Sequence, residues 1–378
     1  MVAGESSGDL LASRLLAGLR PELPDALIHG IGGPKMQEYG FVSDWPMEKL
    51  SVRGLFEVLL HYREISTIRK KLLAQLLREK PSVFIGVDAP DFNLDLEGQL
   101  KRAGIPTMHY ISPSIWAWRG GRIKKIAEAV SQMLVIFPFE AEIYRKAGIP
   151  ATYVGHPLAE VIPMQVDMCA ARDELGIEHD ATVVVVMPGS RLSEIKHNTE
   201  AFIGAAKILC ERDPHLQILV PMVGQRQRAE YIRLVVAARL EGVPVLLMEG
   251  KSHLAIAASN AVLVASGTAT LEVALFKKPM VIAYKMNEAS WQVLKRMGYQ
   301  PWVGLPNILA QEFLVPEFLQ SAATPKALAD AIWQQLHDDQ LQENLKQRFT
   351  DMHQSLLRDT AHLSAQAVLD LIGSQAKK

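Results

Sequence analysis

The chain of 378 residues is 49% hydrophobic and 21% charged, a composition that fits a globular protein with enough core for two domains of ordinary size. A formal net charge of −1 excludes a general attraction for nucleic acid, and two cysteines, Cys169 and Cys210, exclude a disulfide framework or a cysteine-rich metal cluster. No signal peptide and no apolar run of spanning length stands out. We therefore expect a cytoplasmic protein, or one that touches a membrane only from its surface.

The chain opens with a glycine-rich turn, from Gly4 to Gly8, that leads into a helix. Such a turn normally follows a buried strand, and because only Met1 to Ala3 precede it, we expect this first strand to be shortened. The small and polar residues of the turn would let a sugar approach the backbone. The candidates for this sugar contact are Ser6, Ser7, Gly8 and Asp9.

Residues 50–80 form an amphipathic stretch in which apolar residues lie close to a basic cluster. Apolar side chains flanked by basic ones are typical of a helix that lies on an anionic membrane. A core-facing helix with a solvated face gives the same pattern and is the commoner structure. The candidates for membrane contact are Phe56, Val58, Leu59, Tyr62 and Ile65.

Residues 83–97 (VFIGVDAPDFNLDLE) place Asp88 at the end of an apolar strand, with Asp91 three residues further on. A carboxylate at the carboxyl end of a strand, inside a cleft, can act as a general base. It can equally cap the helix that follows. For Asp91 we predict the cap, whereas for Asp88 the pattern alone favours neither role.

Residues 109–126 bring Trp116 and Trp118 together after a strand. Tryptophan can stack on a sugar or an acyl chain, but packing in a core is its commoner use. His109 in this stretch and His156 further on are single histidines, and we predict structural roles for both.

Nearly continuous Val/Ile/Leu runs alternate with helical patterns along most of the chain, which predicts parallel strands covered on both faces. The alternation restarts after residues 156–181, which contain two prolines and no strand. We predict an α/β fold with two Rossmann-like domains that face each other across a cleft, where such sheets bind ligands. The predicted divisions are residues 1–160, residues 161–345 and a helical tail of residues 346–378.

Residues 187–195 (MPGSRLSEI) form a turn directly after the strand-like run VVVV. Ser190 can cap the following helix, and Arg191 projects at its start. An arginine beside a helix N-terminus suits a bidentate grip on a diphosphate. An ordinary capped turn with a surface arginine is the simpler interpretation of this turn alone.

Residues 262–281 (VLVASGTATLEVALFKKPMV) repeat this arrangement of strand, tight turn and helix. The N–H groups of a helix's first turn and its dipole favour an anion. Glu272, one turn into the helix, can reach the hydroxyl pair of a sugar. The alternative is that the first serine only caps the helix. The residues that leave the backbone accessible are Ser266, Gly267, Thr268 and Ala269.

Two such turns in one domain predict a nucleotide diphosphate as the ligand. Neither a P-loop nor a dinucleotide fingerprint occurs in the sequence, which argues against an NTPase or a dinucleotide oxidoreductase. No D-x-D pair or His/Cys cluster indicates a metal. We therefore expect no cofactor and no metal, with arginine and helix dipole stabilising a departing diphosphate.

Several strings together resemble the lipid-A-disaccharide synthase family, inverting glycosyltransferases of the GT-B fold. GVDAPDFN (86–93) and HYISPSIWAWR (109–119) are the most specific of them, and the SGTATLE turn is shared with many nucleotide-sugar enzymes. The other strings that carry the resemblance are VAGESSGD (2–9), GIGGPKM (30–36), FPFE (137–140), VGHP (154–157), PGSR (188–191) and LPN (305–307).

The resemblance implies transfer of 2,3-diacylglucosamine from UDP-2,3-diacylglucosamine to the 6-hydroxyl of 2,3-diacylglucosamine 1-phosphate (lipid X), with a β-1,6 disaccharide 1-phosphate and UDP as products. It implies that Asp88 is the base, that Arg191 stabilises the departing phosphates, and that residues 266–269 with Glu272 hold the nucleotide. Ser190 belongs to the same donor site.

Acylated substrates further imply peripheral association with the anionic inner face of the inner membrane. A homodimer and a C-terminal tail that packs back on the first domain are also expected.

Two other functions are compatible with parts of the sequence. Another GT-B enzyme that uses UDP-GlcNAc, a transferase or a 2-epimerase, would share the turns of the second domain. A sensor without activity would bind UDP-sugar and signal through a partner, and it would not need Asp88.

Overall fold

A computed structural model of the chain describes residues 1–50, 55–116, 120–297 and 301–376. At Ser6, at residues 55–62, and at several positions within 289–297 and 375–376, it describes the backbone only. The chain divides into two compact units. The first consists of Met1–Glu160 and the chain from Ser355 onward, and the second of Val161–Gln354.

Each unit is built on one parallel sheet. The sheet of the first unit has the strand order β3-β2-β1-β4-β5-β6-β7, and that of the second has the order β10-β9-β8-β11-β12-β13. The strands are β1 (Val2–Ala3), β2 (His29–Ile31), β3 (Val42–Trp45), β4 (Phe84–Val87), β5 (Thr107–Tyr110), β6 (Gln132–Val135), β7 (Ala151–Tyr153), β8 (Val183–Met187), β9 (Gln217–Met222), β10 (Val245–Glu249), β11 (Ala261–Ala265), β12 (Met280–Tyr284) and β13 (Glu317–Leu319).

Helices connect the strands, and two short 3₁₀ turns occur at Met47–Lys49 and Gln320–Ala322. The helices are α1 (Ser6–Glu22), α2 (Pro34–Gln37), α3 (Leu55–Glu79), α4 (Pro90–Arg102), α5 (Arg122–Ala129), α6 (Pro138–Lys146), α7 (Pro157–Val161), α8 (Met168–Leu175), α9 (Leu192–Arg212), α10 (Gln225–Ala237), α11 (Ser252–Ala258), α12 (Thr268–Leu275), α13 (Glu288–Met297), α14 (Leu305–Ala310), α15 (Pro325–His337), α16 (Asp339–Leu356) and α17 (Thr360–Ala376).

The central strands are buried because their side chains are apolar on both faces. In β8, the run Val183–Val186 is fully or almost fully buried, and neighbouring β11 is buried along its length. On one face of this sheet the strands pack against α9, α10 and α15 in a single apolar cluster. Burial on both faces is the property of a parallel sheet covered by helices. The prediction of an α/β fold with two Rossmann-like sheets is confirmed.

Each sheet has a topological switch point, a position where adjacent strands send the chain in opposite directions. In the first unit it lies between β1 and β4, which pair at Ala3 and Val87. In the second it lies between β8 and β11, which pair at Val186 and Leu263. Open α/β sheets bind ligands beyond the carboxyl ends of the strands at this point. The turns after β1, β4, β8 and β11 are thus where a site is expected.

The described part of α3 faces the core of the first unit. Ile68, Leu72 and Leu76 are buried there, and Ile65 is half-buried against the same cluster. Ile65 therefore uses part of its apolar surface inside the unit, and its contact with a membrane stays a prediction. The side chains of Phe56, Val58, Leu59 and Tyr62 lie outside the described residues.

Helix α17 packs against α1 at Gly18. A Cβ at this position would lie 2.2 Å from the carbonyl oxygen of Ala361, so the two backbones are in contact. We expect Gly18→Ala to destabilise the protein by about 1–3 kcal/mol, because the methyl group forces the helices apart. Thermal unfolding measures the effect.

Gly98→Ala is the matched control, since Gly98 lies within α4 and a Cβ there would be 3.7 Å from its nearest neighbour, an ordinary contact. Alanine is the better helix former, so this control should be neutral or stabilising by up to about 1 kcal/mol. Equal effects of the two substitutions would contradict the close packing of α17 on α1.

Candidate active site

A cavity of about 350 Å³ lies at the switch point of the second unit. Its walls are the turns that follow β8 and β11, together with Pro221–Val223 at the carboxyl end of β9 and with Gly250 and Ser252 beyond β10. Ligand pockets in proteins have volumes of about 300–1,000 Å³. The cavity can therefore hold a small ligand or part of a larger one.

The turn after β8 is held by Glu194, which is almost fully buried. Its Oε2 accepts hydrogen bonds from the main-chain N–H groups of Ser190 (3.0 Å) and Arg191 (3.2 Å). Its Oε1 accepts a bond of 2.8 Å from the guanidinium of Arg191, whose side chain remains 62% exposed. Glu194 thus holds the main chain of Arg191 in place, while the Arg191 side chain stays largely exposed beside the cavity.

The N-cap residue of α9 is Arg191, so the predicted cap by Ser190 is wrong. Glu194 stands three residues after the N-cap, the spacing of a capping box, and this spacing was a signal that sequence reasoning missed. Asn198, fully buried one turn further on, donates to Pro188 O and accepts from Lys285 N, both at 2.9 Å. It ties the turn after β8 to the end of β12.

The turn after β11 leaves a helix N-terminus open. The N-cap residue of α12 is Gly267, and its φ of +154° suits a residue without a Cβ. The hydroxyl of Ser266 donates to Val303 O at 2.9 Å, so the alternative in which Ser266 caps the helix is wrong. Within the described part of the chain, no acceptor takes the N–H groups of Gly267, Thr268 and Ala269. These three donors line the cavity.

Glu272 lines the same cavity one turn into α12. Its Oε2 lies 3.3 Å from Nε2 of His253, and the ring of His253 packs against Phe276. His253, which belongs to α11, thus holds the orientation of the Glu272 carboxylate. His253 could not be singled out from the sequence pattern, because it lies 19 residues earlier in the chain than Glu272.

In the first unit, Asp88 lies directly after β4 at the switch point. Asp88 and the next residue, Ala89, both have left-handed backbones, with φ of +53° and +43°. The main-chain N–H of Asp88 donates to Tyr110 O at 3.0 Å, and its side chain is half-buried. Strained backbone of this kind persists where surrounding structure enforces it, commonly at functional sites.

The cap that we predicted from Asp91 is wrong. The N-cap residue of α4 is Ala89, and Asp91 lies inside the first turn with its carboxylate paired to Arg122. Its side chain is 81% exposed. The first residue of α4 is Pro90, which has no main-chain N–H. The helix N-terminus therefore has one N–H group fewer that needs a hydrogen-bond acceptor.

The turn after β1 adjoins Asp88. A Cβ at Gly8 would lie 3.8 Å from the Cβ of Asp88, and Ser7 is exposed. The side chain of Ser6 lies outside the described residues.

Asp9 does not offer its carboxylate to a ligand, in contrast to the prediction. It is 2% exposed and accepts main-chain N–H bonds from Gly33, Lys35 and Met36 at 2.9–3.1 Å. Asp9 therefore neutralises the N-terminus of α2 and holds the turn after β1 against it.

Trp116 packs within the first unit. Its Nε1 donates to Glu140 Oε1 at 3.0 Å, and its ring meets Phe137 and Phe139 edge-on. Burial raises the pKa of the Glu140 carboxyl to about 7. These contacts agree with a packing role for Trp116, whereas Trp118 lies outside the described residues.

Both single histidines are buried. His109 bonds to Glu97 at 2.8 Å, and burial lowers the pKa of His156 to about 4.

Among the described residues, no group of three or more His, Cys, Asp or Glu side chains is arranged to hold a metal ion. No helix in the described ranges has both the length and the apolarity to traverse a bilayer.

Two parallel Rossmann-like sheets, each with its own topological switch point, define a protein of the GT-B class. The Anabaena protein HepE, solved in complex with UDP and glucose, has a TM-score of 0.59 and 15% identity to this chain, with 99% of this chain and 98% of HepE covered. UDP-GlcNAc 2-epimerase from Neisseria meningitidis, solved with UDP-GlcNAc, has a TM-score of 0.60 at 11% identity over 98% and 97%. At these identities the likeness shows the fold alone.

The family model LpxB, lipid-A-disaccharide synthetase, matches residues 1–371. The lipid-A-disaccharide synthase of Azoarcus sp. (strain BH72) is 52% identical over 376 residues, covering 100% of this chain and 96% of the relative. That of Bordetella pertussis is 51% identical, covering 100% and 98%. The chain belongs to the lipid-A-disaccharide synthetase family. It is a glycosyltransferase of lipid A biosynthesis that acts on lipid A precursors, which confirms the resemblance found in its motifs.

Proposed function

We propose that the chain transfers 2,3-diacylglucosamine from UDP-2,3-diacylglucosamine to the 6-hydroxyl of 2,3-diacylglucosamine 1-phosphate. The products are a β-1,6-linked disaccharide 1-phosphate and UDP. The observation that carries this proposal is the cavity of the second unit, where three free N–H donors and an exposed guanidinium line one space. That combination of donors suits a diphosphate.

The donor's diphosphate binds the N-terminus of α12. The N–H groups of residues 267–269 donate to phosphate oxygens, and the dipole of α12 adds a partial positive charge at the same place. Arg191, anchored by Glu194, reaches the phosphates from the turn after β8. HepE was solved with UDP and the 2-epimerase with UDP-GlcNAc, which supports a uridine nucleotide as the kind of ligand. Glu272, directed by His253, accepts hydrogen bonds from the ribose hydroxyls.

The reaction is a single displacement with inversion. The carboxylate of Asp88 takes the proton of the acceptor's 6-hydroxyl while that oxygen forms its bond to C1 of the donor sugar. The bond from C1 to the diphosphate oxygen breaks, and its electron pair leaves with UDP. Arg191 and the N-terminus of α12 stabilise the charge that develops on the leaving phosphate. One base therefore suffices, and no covalent intermediate forms.

A two-substrate assay tests the proposal. The enzyme is incubated with UDP-2,3-diacylglucosamine alone, with the acceptor alone and with both, and the disaccharide and UDP are measured. The proposal predicts disaccharide and stoichiometric UDP only when both substrates are present. Release of UDP without the acceptor, or epimerised donor, would support a different nucleotide-sugar enzyme. Binding of UDP with no turnover would support a sensor.

Loss of the Glu194 carboxylate should weaken UDP binding. Glu194→Ala leaves two main-chain N–H groups and the Arg191 guanidinium without their shared acceptor, so the turn after β8 loosens. A loss of about 1–2 kcal/mol corresponds to a Kd for UDP that rises roughly tenfold. Calorimetric titration with UDP measures the change.

Glu230→Ala is the matched control for this substitution, because Glu230 also pairs with an arginine three residues away, Arg233. Its Kd for UDP should stay at the wild-type value. A normal UDP affinity in Glu194→Ala would show that the turn after β8 does not hold the phosphates.

We further propose that the enzyme associates peripherally with the inner face of the inner membrane through residues 55–62. The apolar and basic residues of this stretch and the acyl chains of the substrates support this. Replacing Phe56, Val58 and Leu59 with Ser should reduce sedimentation with anionic phosphatidylglycerol vesicles several-fold, without changing the urea unfolding curve. An unfolded variant would mean that these side chains are core, and unchanged sedimentation would remove this stretch as the contact.

A further inference from the structure

The backbone at Asp88 needs a restraint. Two consecutive non-glycine residues, Asp88 and Ala89, have positive φ. Such conformations are unfavourable for L-residues and persist only where neighbouring groups enforce them. The direction of the Asp88 carboxylate depends on this backbone, because the side chain leaves the chain at the strained position. A group that holds the peptide after Asp88 therefore also aims its carboxylate.

Asn93 is such a group. It lies in the first turns of α4 with 0% exposure, and its Nδ2 donates to Asp88 O at 2.8 Å and to Val2 O at 3.3 Å. Both partners are carbonyl oxygens, which can only accept, so the orientation of the amide is fixed. Val2 belongs to β1 and Asp88 follows β4. One amide group thus joins the ends of the two strands that form the switch point.

The surroundings of Asn93 give it no freedom to move. A Cβ at Gly86 would lie 2.9 Å from Asn93 Cγ and 2.2 Å from Glu97 Oε1, so the side chain is wedged against bare backbone. Glu97 is itself fully buried and bonded to His109 at 2.8 Å. No partner among the described residues takes Asn93 Oδ1. Burying an amide with one unsatisfied oxygen destabilises the folded protein. The two hydrogen bonds that the Asn93 amide donates are its contribution to the structure at this position.

We infer that Asn93 is a positioning residue for the reaction, which holds the left-handed turn at Asp88 and so aims the Asp88 carboxylate at the acceptor hydroxyl. This inference rests on the proposed role of Asp88 as the base. Asn93 does not touch substrate and acts through the main-chain oxygen of Asp88. Small displacements of a catalytic group are enough to reduce the rate strongly.

Two variants test the inference. Asn93→Ala removes the amide, and Asn93→Asp keeps its shape but places an oxygen against two carbonyl oxygens. Both should lower kcat by about 10–100-fold. KM for the donor and the Kd for UDP should stay within about twofold of wild type, because the residues that line the nucleotide cavity belong to the second unit. UDP titration reports on the second unit, so the fraction of enzyme with a folded first unit is measured separately by circular dichroism and thermal unfolding, and kcat is expressed per folded molecule.

Thr107→Val is the matched control for lost stability. Thr107 is also fully buried in the first unit, and its hydroxyl bonds to Ala129 O at 2.8 Å at the opposite end of β5. It should lower the melting temperature but keep kcat. If Thr107→Val lowers kcat as much as Asn93→Ala does, the effect is structural and the inference is overturned.

The outcomes also separate this inference from the proposed function. Full kcat in Asn93→Ala with an inactive Asp88→Asn would overturn the positioning role and leave the base assignment standing. An active Asp88→Asn would remove the base, and the positioning role with it.

Discussion

Asp88→Asn should lower kcat by roughly 10²–10⁴ while the Kd for UDP stays near the wild-type value. The amide keeps the size of the side chain but cannot accept a proton, so the acceptor hydroxyl must attack without a base. The N–H groups and the guanidinium that are proposed to bind the nucleotide lie in the second unit. Binding of UDP should therefore not depend on residue 88. Steady-state turnover at saturating substrates, together with calorimetric UDP titration, gives both quantities.

Asp91→Asn provides the control in the same segment. Asp91 is a highly exposed carboxylate three residues further on, and it is paired with Arg122. This change should leave kcat within about twofold, because an exposed ion pair contributes little. An Asp88→Asn enzyme with ordinary turnover would eliminate Asp88 as the base, and equal losses in the two variants would point to disruption of the segment instead.

Arg191→Ala should lower kcat by about 10²–10³, since it removes the guanidinium that faces the departing diphosphate. Charge on the leaving oxygen is greater in the transition state than in the bound donor, so kcat should fall more than donor affinity. Arg191→Lys should recover only part of the loss, because an ammonium cannot grip two phosphate oxygens in the bidentate manner of arginine.

Arg233→Ala is the matched control for this prediction. Both arginines are about equally exposed, 62% for Arg191 and 60% for Arg233, and each pairs with a glutamate three residues away. They differ in that Arg191 lines the cavity. Wild-type kcat in Arg233→Ala with a loss in Arg191→Ala supports the role in catalysis. Similar kcat in all the Arg191 variants would assign leaving-group stabilisation to other groups.

The parallel sheets and the position of the turns could be predicted from the sequence because the signal is local. An uninterrupted run such as VVVV at 183–186 predicts a strand buried on both faces, and the polar residues that follow it mark a strand's carboxyl end. Because carboxyl ends of parallel strands meet at one edge, residues near 190 and 266 could be expected to lie together. In the structure both line one cavity.

The hydrogen-bond partners within those turns could not be predicted, because distant parts of the chain supply them. Ser266 has the composition of a helix cap but bonds to Val303, 37 residues away. Asp9 looks available for a ligand but bonds to N–H groups 24–27 residues away. A side chain that suits several local roles takes the one that tertiary structure offers, and a single sequence does not reveal which.

The sequence pattern around Ile65 also fits more than one structure. An apolar stripe beside basic residues fits a membrane surface or a protein core equally well, since both remove apolar area from water. Ile65 packs with Ile68 and Leu72 in the core of the first unit, and the nearby Arg69 is paired with Asp95. Neither the contact nor the ion pair can be read from the spacing of residues within α3.

The position of bound UDP tests the central claim most directly. A crystal structure of the enzyme with UDP should show phosphate oxygens at about 2.7–3.2 Å from the N–H groups of Gly267, Thr268 and Ala269, with the Arg191 guanidinium on the same phosphates. Glu272 should contact the ribose. UDP bound away from the turns after β8 and β11, or bound there with its phosphates turned away from α12 and Arg191, would contradict the account.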